Sequence, residues 1–202
     1  MFDLEKLKND LGELPNNKKN RLMNEYGLIS NKATFLVVNN LISDFFEKTN
    51  VELKILIGDN LVTDQTVNLI YNYLVTDILG GLVNKNLTFN DLKISPIEFA
   101  KLIKLLVENK LSSRGAKIIL EKMLMGEKDP ETIMKNNNLE QVSNDEELQK
   151  MIELVLNEND KSVQEYKSGK VTVLQFLIGK TMAKTKGSGN PEKIKELLEK
   201  ML

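Results

Sequence analysis

Lys180, Lys184 and Lys186 stand just ahead of Gly187-Ser188-Gly189-Asn190-Pro191, so a lysine-bearing helix end runs into a glycine turn and then into a new helix start. Lysines, free turn amides and the opening of a helix can together hold a phosphate. The same residues also make an ordinary helix-turn-helix corner, in which last-turn lysines offset the helix dipole and glycine ends the helix. Glu192, in the first turn of the second helix, opposes an anion there, so the lysines have to supply most of the attraction. Gly187-Ser188-Gly189 is not a dinucleotide fingerprint, because it follows a helix and lacks a third glycine.

Few other chemistries are open. The 202 residues contain no His, Cys or Trp, which removes the usual proton shuttle near neutral pH, the thiolate nucleophile, and the nitrogen and sulfur ligands of zinc. The 29 Asp and Glu are interleaved with 28 Lys and Arg, a pattern of solvated helix faces rather than of paired catalytic carboxylates. A net charge of -1 conceals a segregation: residues 127–160 carry ten acidic side chains against three lysines, and residues 161–202 nine lysines against four glutamates. A local positive field draws polyanions even when the whole chain is neutral. Arg114 and Lys117, at the start of a helix after Ser112-Ser113, could extend that basic face, but plain surface is the favoured reading. No apolar run approaches the roughly 18 residues of a membrane span, and the lack of cysteine suits a reducing compartment, so a cytoplasmic protein is expected.

The elements that position these residues are helices. Apolar side chains recur at helical spacing, as at Val67, Ile70, Leu74 and Ile78, at Leu148, Met151, Ile152 and Val155, and at Ile194, Leu197, Leu198 and Met201. No run of strands competes, and the fold class is all-α. Ser95-Pro96, Asp129-Pro130 and Asn190-Pro191 place proline at the first helical position after a capping residue. Ser95 with Glu98, and Ser143 with Glu146, have capping-box spacing. Phe45, Phe46, Tyr71 and Tyr73 fall at helical spacing and belong to a core rather than to a base-stacking surface. A helix from about Lys170 to Lys186 aligns Val171, Leu174, Ile178 and Met182 as its apolar stripe and groups Lys180 with Lys184. Gly187 is then the left-handed residue that ends it, and Asn190 caps the next helix. The polar, turn-rich residues 84–91 mark a boundary between a helical domain (1–86), a connection (87–94) and a tail domain (95–202), the tail dividing further into 95–138 and 143–202.

Arg21-Leu22, Tyr26-Gly27-Leu28, Ser43-Asp44-Phe45-Phe46-Glu47, Ile94-Ser95-Pro96, Asp129-Pro130, Ser162-Val163, Tyr166-Lys167-Ser168-Gly169-Lys170 and Phe176-Leu177-Ile178-Gly179 occur in this order, followed by Lys186-Gly187-Ser188-Gly189-Asn190-Pro191. From about Leu14 onward the series resembles the C-terminal region of the B subunit of the aspartyl/glutamyl-tRNA amidotransferases, with its GatB/YqeY-like tail. The resemblance implies two helical domains and a non-catalytic role. In that family the whole B subunit uses ATP and Mg to phosphorylate the side-chain carboxylate of Glu-tRNA(Gln) or Asp-tRNA(Asn). Ammonia from the partner amidase, the A subunit, which works with a small C subunit, completes the amide. The family's larger N-terminal part, with its kinase-like active site and metal ligands, is absent from this sequence, so no catalytic, cofactor or metal residue is carried over. The tail reaches the outer corner of tRNA, and Lys170, Lys180, Lys184, Lys186, Gly187 and Asn190 match the region where it would contact the tRNA backbone. The function expected is therefore tRNA binding within a ligase complex of protein biosynthesis. The alternative is a helical protein-interaction module that docks partner subunits and binds no RNA.

Overall fold

The computed structural model describes residues 13–141 and 145–202. Those residues form helices and turns and no strand beyond one isolated bridge, Leu111 with Glu140. The chain divides into two compact units, Met1–Ile103 and Lys104–Leu202.

In the first unit, α1 (Pro15–Tyr26), α2 (Ser30–Val38), α3 (Asn40–Ile57) and α4 (Asp64–Asn72) each pack on their successor. A π-helical stretch, Tyr73–Ile78, carries α4 into α5 (Leu79–Asn84). Leu22, Leu36, Phe46, Leu53, Ile70, Leu74 and Ile78 are fully buried, because each lies on the inward face of its helix. Phe46 is met edge-on by Tyr26 at 5.3 Å and by Tyr71 at 6.4 Å. Phe45 contacts Phe89 at 5.6 Å and Phe99 at 5.8 Å. All four aromatics assigned to the core are buried there. Phe89 opens a short turn, Phe89–Asp91, held by reciprocal bonds between Thr88 and Asp91.

Two cations of α1 reach α3: Lys18 lies 3.9 Å from Asp44 and 4.0 Å from Glu47, and Arg21 makes the shorter contacts. Arg21 grips Glu13 with Nε at 2.9 Å and Nη2 at 2.8 Å, and its Nη1 donates to Glu47 at 2.7 Å and to Glu25 at 3.3 Å. The fork geometry of guanidinium is what allows three carboxylates to share it. Hydrogen bonding from Arg21 holds the Glu13 carboxyl below its ordinary range.

α6 (Pro96–Val107) contains the division between the units. The Ser95–Glu98 box forms, with Ser95 N–H donating to Glu98 Oε2 at 2.8 Å; the box expected at Ser143 lies outside the described residues. In the second unit α7 (Ser113–Leu124), capped by Ser112, packs on α8 (Pro130–Asn136), capped by Asp129. Then come α9 (Asp145–Glu158), α10 (Asp160–Lys167), α11 (Val173–Lys184) and α12 (Pro191–Met201). α9, α11 and α12 pack pairwise around Leu148, Ile152, Val155, Leu174, Leu177, Ile194, Leu197 and Leu198.

Two expectations about α11 are corrected. It begins at Val173 rather than near Lys170, since Gly169 at φ +100° turns the chain before it. Its buried face is Val173, Leu174, Leu177 and Thr181, while Val171 lies outside the helix with 67% of its surface exposed. α11 is covered by α9 and by α12, so its contact face is wider than a single stripe and centres on Leu177.

Replacing Arg21 with Met should lower the stability of the first unit by about 1–3 kcal/mol, since Glu47 and Glu13 lose a charged partner. Glu13 titrates below its ordinary 4.5, so its contribution is present above that pH and lost as pH falls through the lowered value. Urea melts should therefore show the variant losing less stability than the parent between neutral pH and the region below 4.5.

Candidate functional site

The end of α11 is closed by two crossed backbone bonds. Lys186 N–H donates to Ala183 O at 3.0 Å and Gly187 N–H to Met182 O at 2.8 Å, the arrangement that follows a helix with a left-handed residue. That residue is Lys186, at φ +53°, with Gly187 at φ +80° after it. The expectation had Gly187 alone in this role and Lys186 in the last turn. α11 instead stops at Lys184 with Thr185 as its cap, which moves Lys186 into the place that glycine usually holds. The other described non-glycine residues at positive φ are Asn86, Asn109, Asp129 and Asn138, whose short polar side chains tolerate the conformation. Lys186 has no such relief, and the left-handed backbone costs it about 1–2 kcal/mol.

Three of the turn amides expected to face a phosphate are used internally. Besides the Gly187 bond, Ser188 N–H donates to Thr185 O at 3.0 Å, and Gly189 N–H to the Thr185 hydroxyl at 3.1 Å. A buried turn must pair its own N–H groups. Asn190 caps α12 as expected, its Oδ1 accepting from Glu192 N and Lys193 N at 3.0 and 3.1 Å. Gly189 is required by contact: a Cβ there would lie 2.7 Å from Ile194 Cδ1 and 2.9 Å from Thr185 Oγ1.

Positive charge at the corner thus comes from side chains. Arg114, in the first turn of α7, donates from Nη1 to Lys186 O at 3.1 Å. Sequence alone favours plain surface over a basic face for Arg114, and nothing local signals a partner 72 residues away. Together Arg114, Asn138, Lys186, Gly187 and Ser188 line a cleft of about 240 Å³. A second cleft of about 210 Å³ lies between Glu147, Met151, Lys184 and Lys186.

The expected lysines do not form one cluster. Lys184 pairs with Glu158 at 2.6 Å, and Lys170 with Glu165 at 2.8 Å. Lys170 precedes α11, roughly 18 Å along the axis from the corner at a rise of about 1.5 Å per residue. Lys180 stands over the Phe176 ring at 5.3 Å. Among the described residues Lys186 makes no ion pair. Lys184, Lys186, Gly187, Asn190 and Arg114 therefore meet at one end of α11, with Lys180 one turn away. The acidic segment folds against the basic one through Glu158, which pairs Lys184 and, among the described residues, leaves Lys186 and Arg114 without an ion pair at the corner. Of these, Arg114 and the lysines carry side-chain donors that can take a phosphate oxygen. Among the described residues no three acidic side chains converge to hold a metal ion, and no helix is long and apolar enough to cross a membrane.

The family profile described as GatB domain matches residues 59–202. The B subunit of the aspartyl/glutamyl-tRNA(Asn/Gln) amidotransferase of Finegoldia magna is 33% identical over 98% of this chain and 40% of its own length. The corresponding B subunit of Thermotoga maritima is 33% identical, and the one numbered 2 in Clostridium acetobutylicum 34%, each over 98% of this chain and 39% of its own length. The chain thus spans about 40% of the length of the curated relatives it matches.

Lys186→Gly should raise stability by about 1 kcal/mol by relieving the left-handed backbone. Gly189→Ala should lower it by about 1–3 kcal/mol through overpacking, and Gly187→Val should lower it because a β-branched residue is poorly tolerated at positive φ. Thermal unfolding of the three variants checks both signs.

Proposed function

This chain belongs to the GatB domain family, and on that premise we propose that it is a non-catalytic, tRNA-binding portion of the B subunit of an amidotransferase, which positions misacylated tRNA for active sites on other parts of the enzyme. The observation that carries this reading is Lys186. A lysine kept in a costly left-handed conformation, with its carbonyl held by Arg114 and its ammonium unpaired, is strain of the kind that collects at functional sites. Glycine would serve the turn better, so the side chain is what the position supplies.

Arg114, Lys186 and Lys180 contact phosphates, and Lys184 joins them by exchanging Glu158 for RNA. Gly187 shapes the end of α11 and Asn190 caps α12, while Lys170, paired with Glu165 ahead of α11, stands apart from the phosphate contacts. Selectivity comes from the form of the tRNA elbow, since phosphate contacts carry no sequence information. A few such contacts bind weakly by themselves, and linkage to the rest of the enzyme raises the effective concentration. ATP, magnesium, the amidase and the small third component of the complex belong to the longer protein's reaction, and no step of that chemistry falls on the residues described above.

A second reading is favoured by a different observation. Val38 and Ile55 on the first unit are 75% and 73% exposed, as expected of residues that dock a partner protein. Association with such a partner that ignores salt, with no tRNA binding, would favour that module over the RNA-binding one.

Fluorescence anisotropy with labelled tRNA across a salt series decides the matter. Four phosphate contacts give a log-log slope on the order of -3 to -4, and Lys180→Ala/Lys184→Ala/Lys186→Ala should flatten it and weaken binding. An equal slope in the folded triple variant would overturn the assignment. Lys186→Gly should bind more weakly although it is more stable. Glu158→Gln should bind about two- to threefold more tightly, because Lys184 is released from its pair.

A further inference from the structure

Phe176 is the exposed aromatic side chain among the described residues, at 46%. The other aromatics described are buried or half-buried. Phe176 lies on α11 opposite Leu174 and Leu177, which face the core, so packing within this chain does not account for it. Lys180, one turn on, holds its ammonium 5.3 Å from the ring centroid. Between them on the same face is Gly179, also exposed, where a Cβ would meet nothing within 4 Å. Glycine inside a helix is destabilising relative to alanine, and here neither a turn nor a close neighbour calls for it. It leaves the backbone beside the ring uncovered.

We propose that Phe176, flanked by Gly179 and Lys180, is a stacking site for an unpaired nucleobase of the bound RNA. The inference rests on the RNA-binding reading above and adds a base contact to its phosphate contacts. A flat ring with 46% of its residue's surface exposed offers its face to a base, and the absence of a side chain at Gly179 lets the base lie close to the helix. Lys180 covers the ring in the free protein. An exposed cation–π contact is weaker than base–aromatic stacking, so an arriving base displaces the ammonium, which turns to the adjoining phosphate. Bases splayed from loops are what RNA-binding proteins recognise in this way.

The test uses the whole chain, a tRNA(Gln) transcript labelled at its 3′ end, and the variants Phe176→Leu and Phe176→Trp, with folding checked by circular dichroism. Phe176→Leu keeps apolar bulk and loses the aromatic face; it should bind about tenfold more weakly, with the salt slope unchanged because no ionic contact is lost. Phe176→Trp should bind at least as tightly as the unsubstituted chain. The chain has no other Trp, so quenching of its indole emission by tRNA reports that position alone. Equal affinity of Phe176→Leu and the unsubstituted chain, or unchanged indole emission at saturating tRNA, overturns the stacking site and leaves the phosphate contacts standing. Failure of the unsubstituted chain to bind tRNA at low salt overturns both.

Discussion

The corner between α11 and α12 depends on the buried Thr185. Its hydroxyl accepts from Gly189 N–H at 3.1 Å and donates to Met182 O at 3.1 Å, while its carbonyl takes Ser188 N–H and the Ser188 hydroxyl. Polar groups that would otherwise be stranded beside the core are thereby paired, and unpaired groups there would each cost about 1–3 kcal/mol. The bonds bring Gly189 against Ile194, which is fully buried. The position of α12 on α11, and the conformation of Lys186 and Gly187 between them, follow from that closure.

The same closure decides what kind of binding surface is possible. A turn whose amides pointed outward would form an anion-binding nest. This one points them inward, so attraction has to come from Arg114 and the lysines. Side-chain cations on a rigid corner give electrostatic attraction with little directional demand, which suits a sugar-phosphate backbone better than a small anion. The acidic helix α9 limits the effect by pairing Glu158 with Lys184. A face whose cations are in part neutralised by acidic neighbours can define an orientation, whereas a uniformly basic face would attract a polyanion in any pose.

The first unit is built from different interactions. Its interior is a set of edge-to-face aromatic contacts around Phe46 and Phe45, and at its α1–α3 junction an arginine shared among three carboxylates reaches Glu47 beside the longer pairs of Lys18. Such contacts are directional and fix helix positions more narrowly than aliphatic packing does. Val38 and Ile55 remain outside that interior, on helices whose buried faces are already complete.

Helical class, the caps at Ser95, Asp129 and Asn190, the core role of Phe45, Phe46, Tyr71 and Tyr73, and membership of the family were all legible in the order of residues. Each of these depends on spacing along the chain or on side chains within one turn of each other, and both are written in the sequence. The left-handed Lys186, the inward amides, the wider buried face of α11, the pairing of Lys184 with Glu158 and the arrival of Arg114 at Lys186 were not. They depend on how two or three helices meet, across separations of up to 72 residues. Local sequence determined which helices form and where most of them start; only tertiary packing decided which cations stay unpaired, because a charge is neutralised by whatever the fold sets beside it.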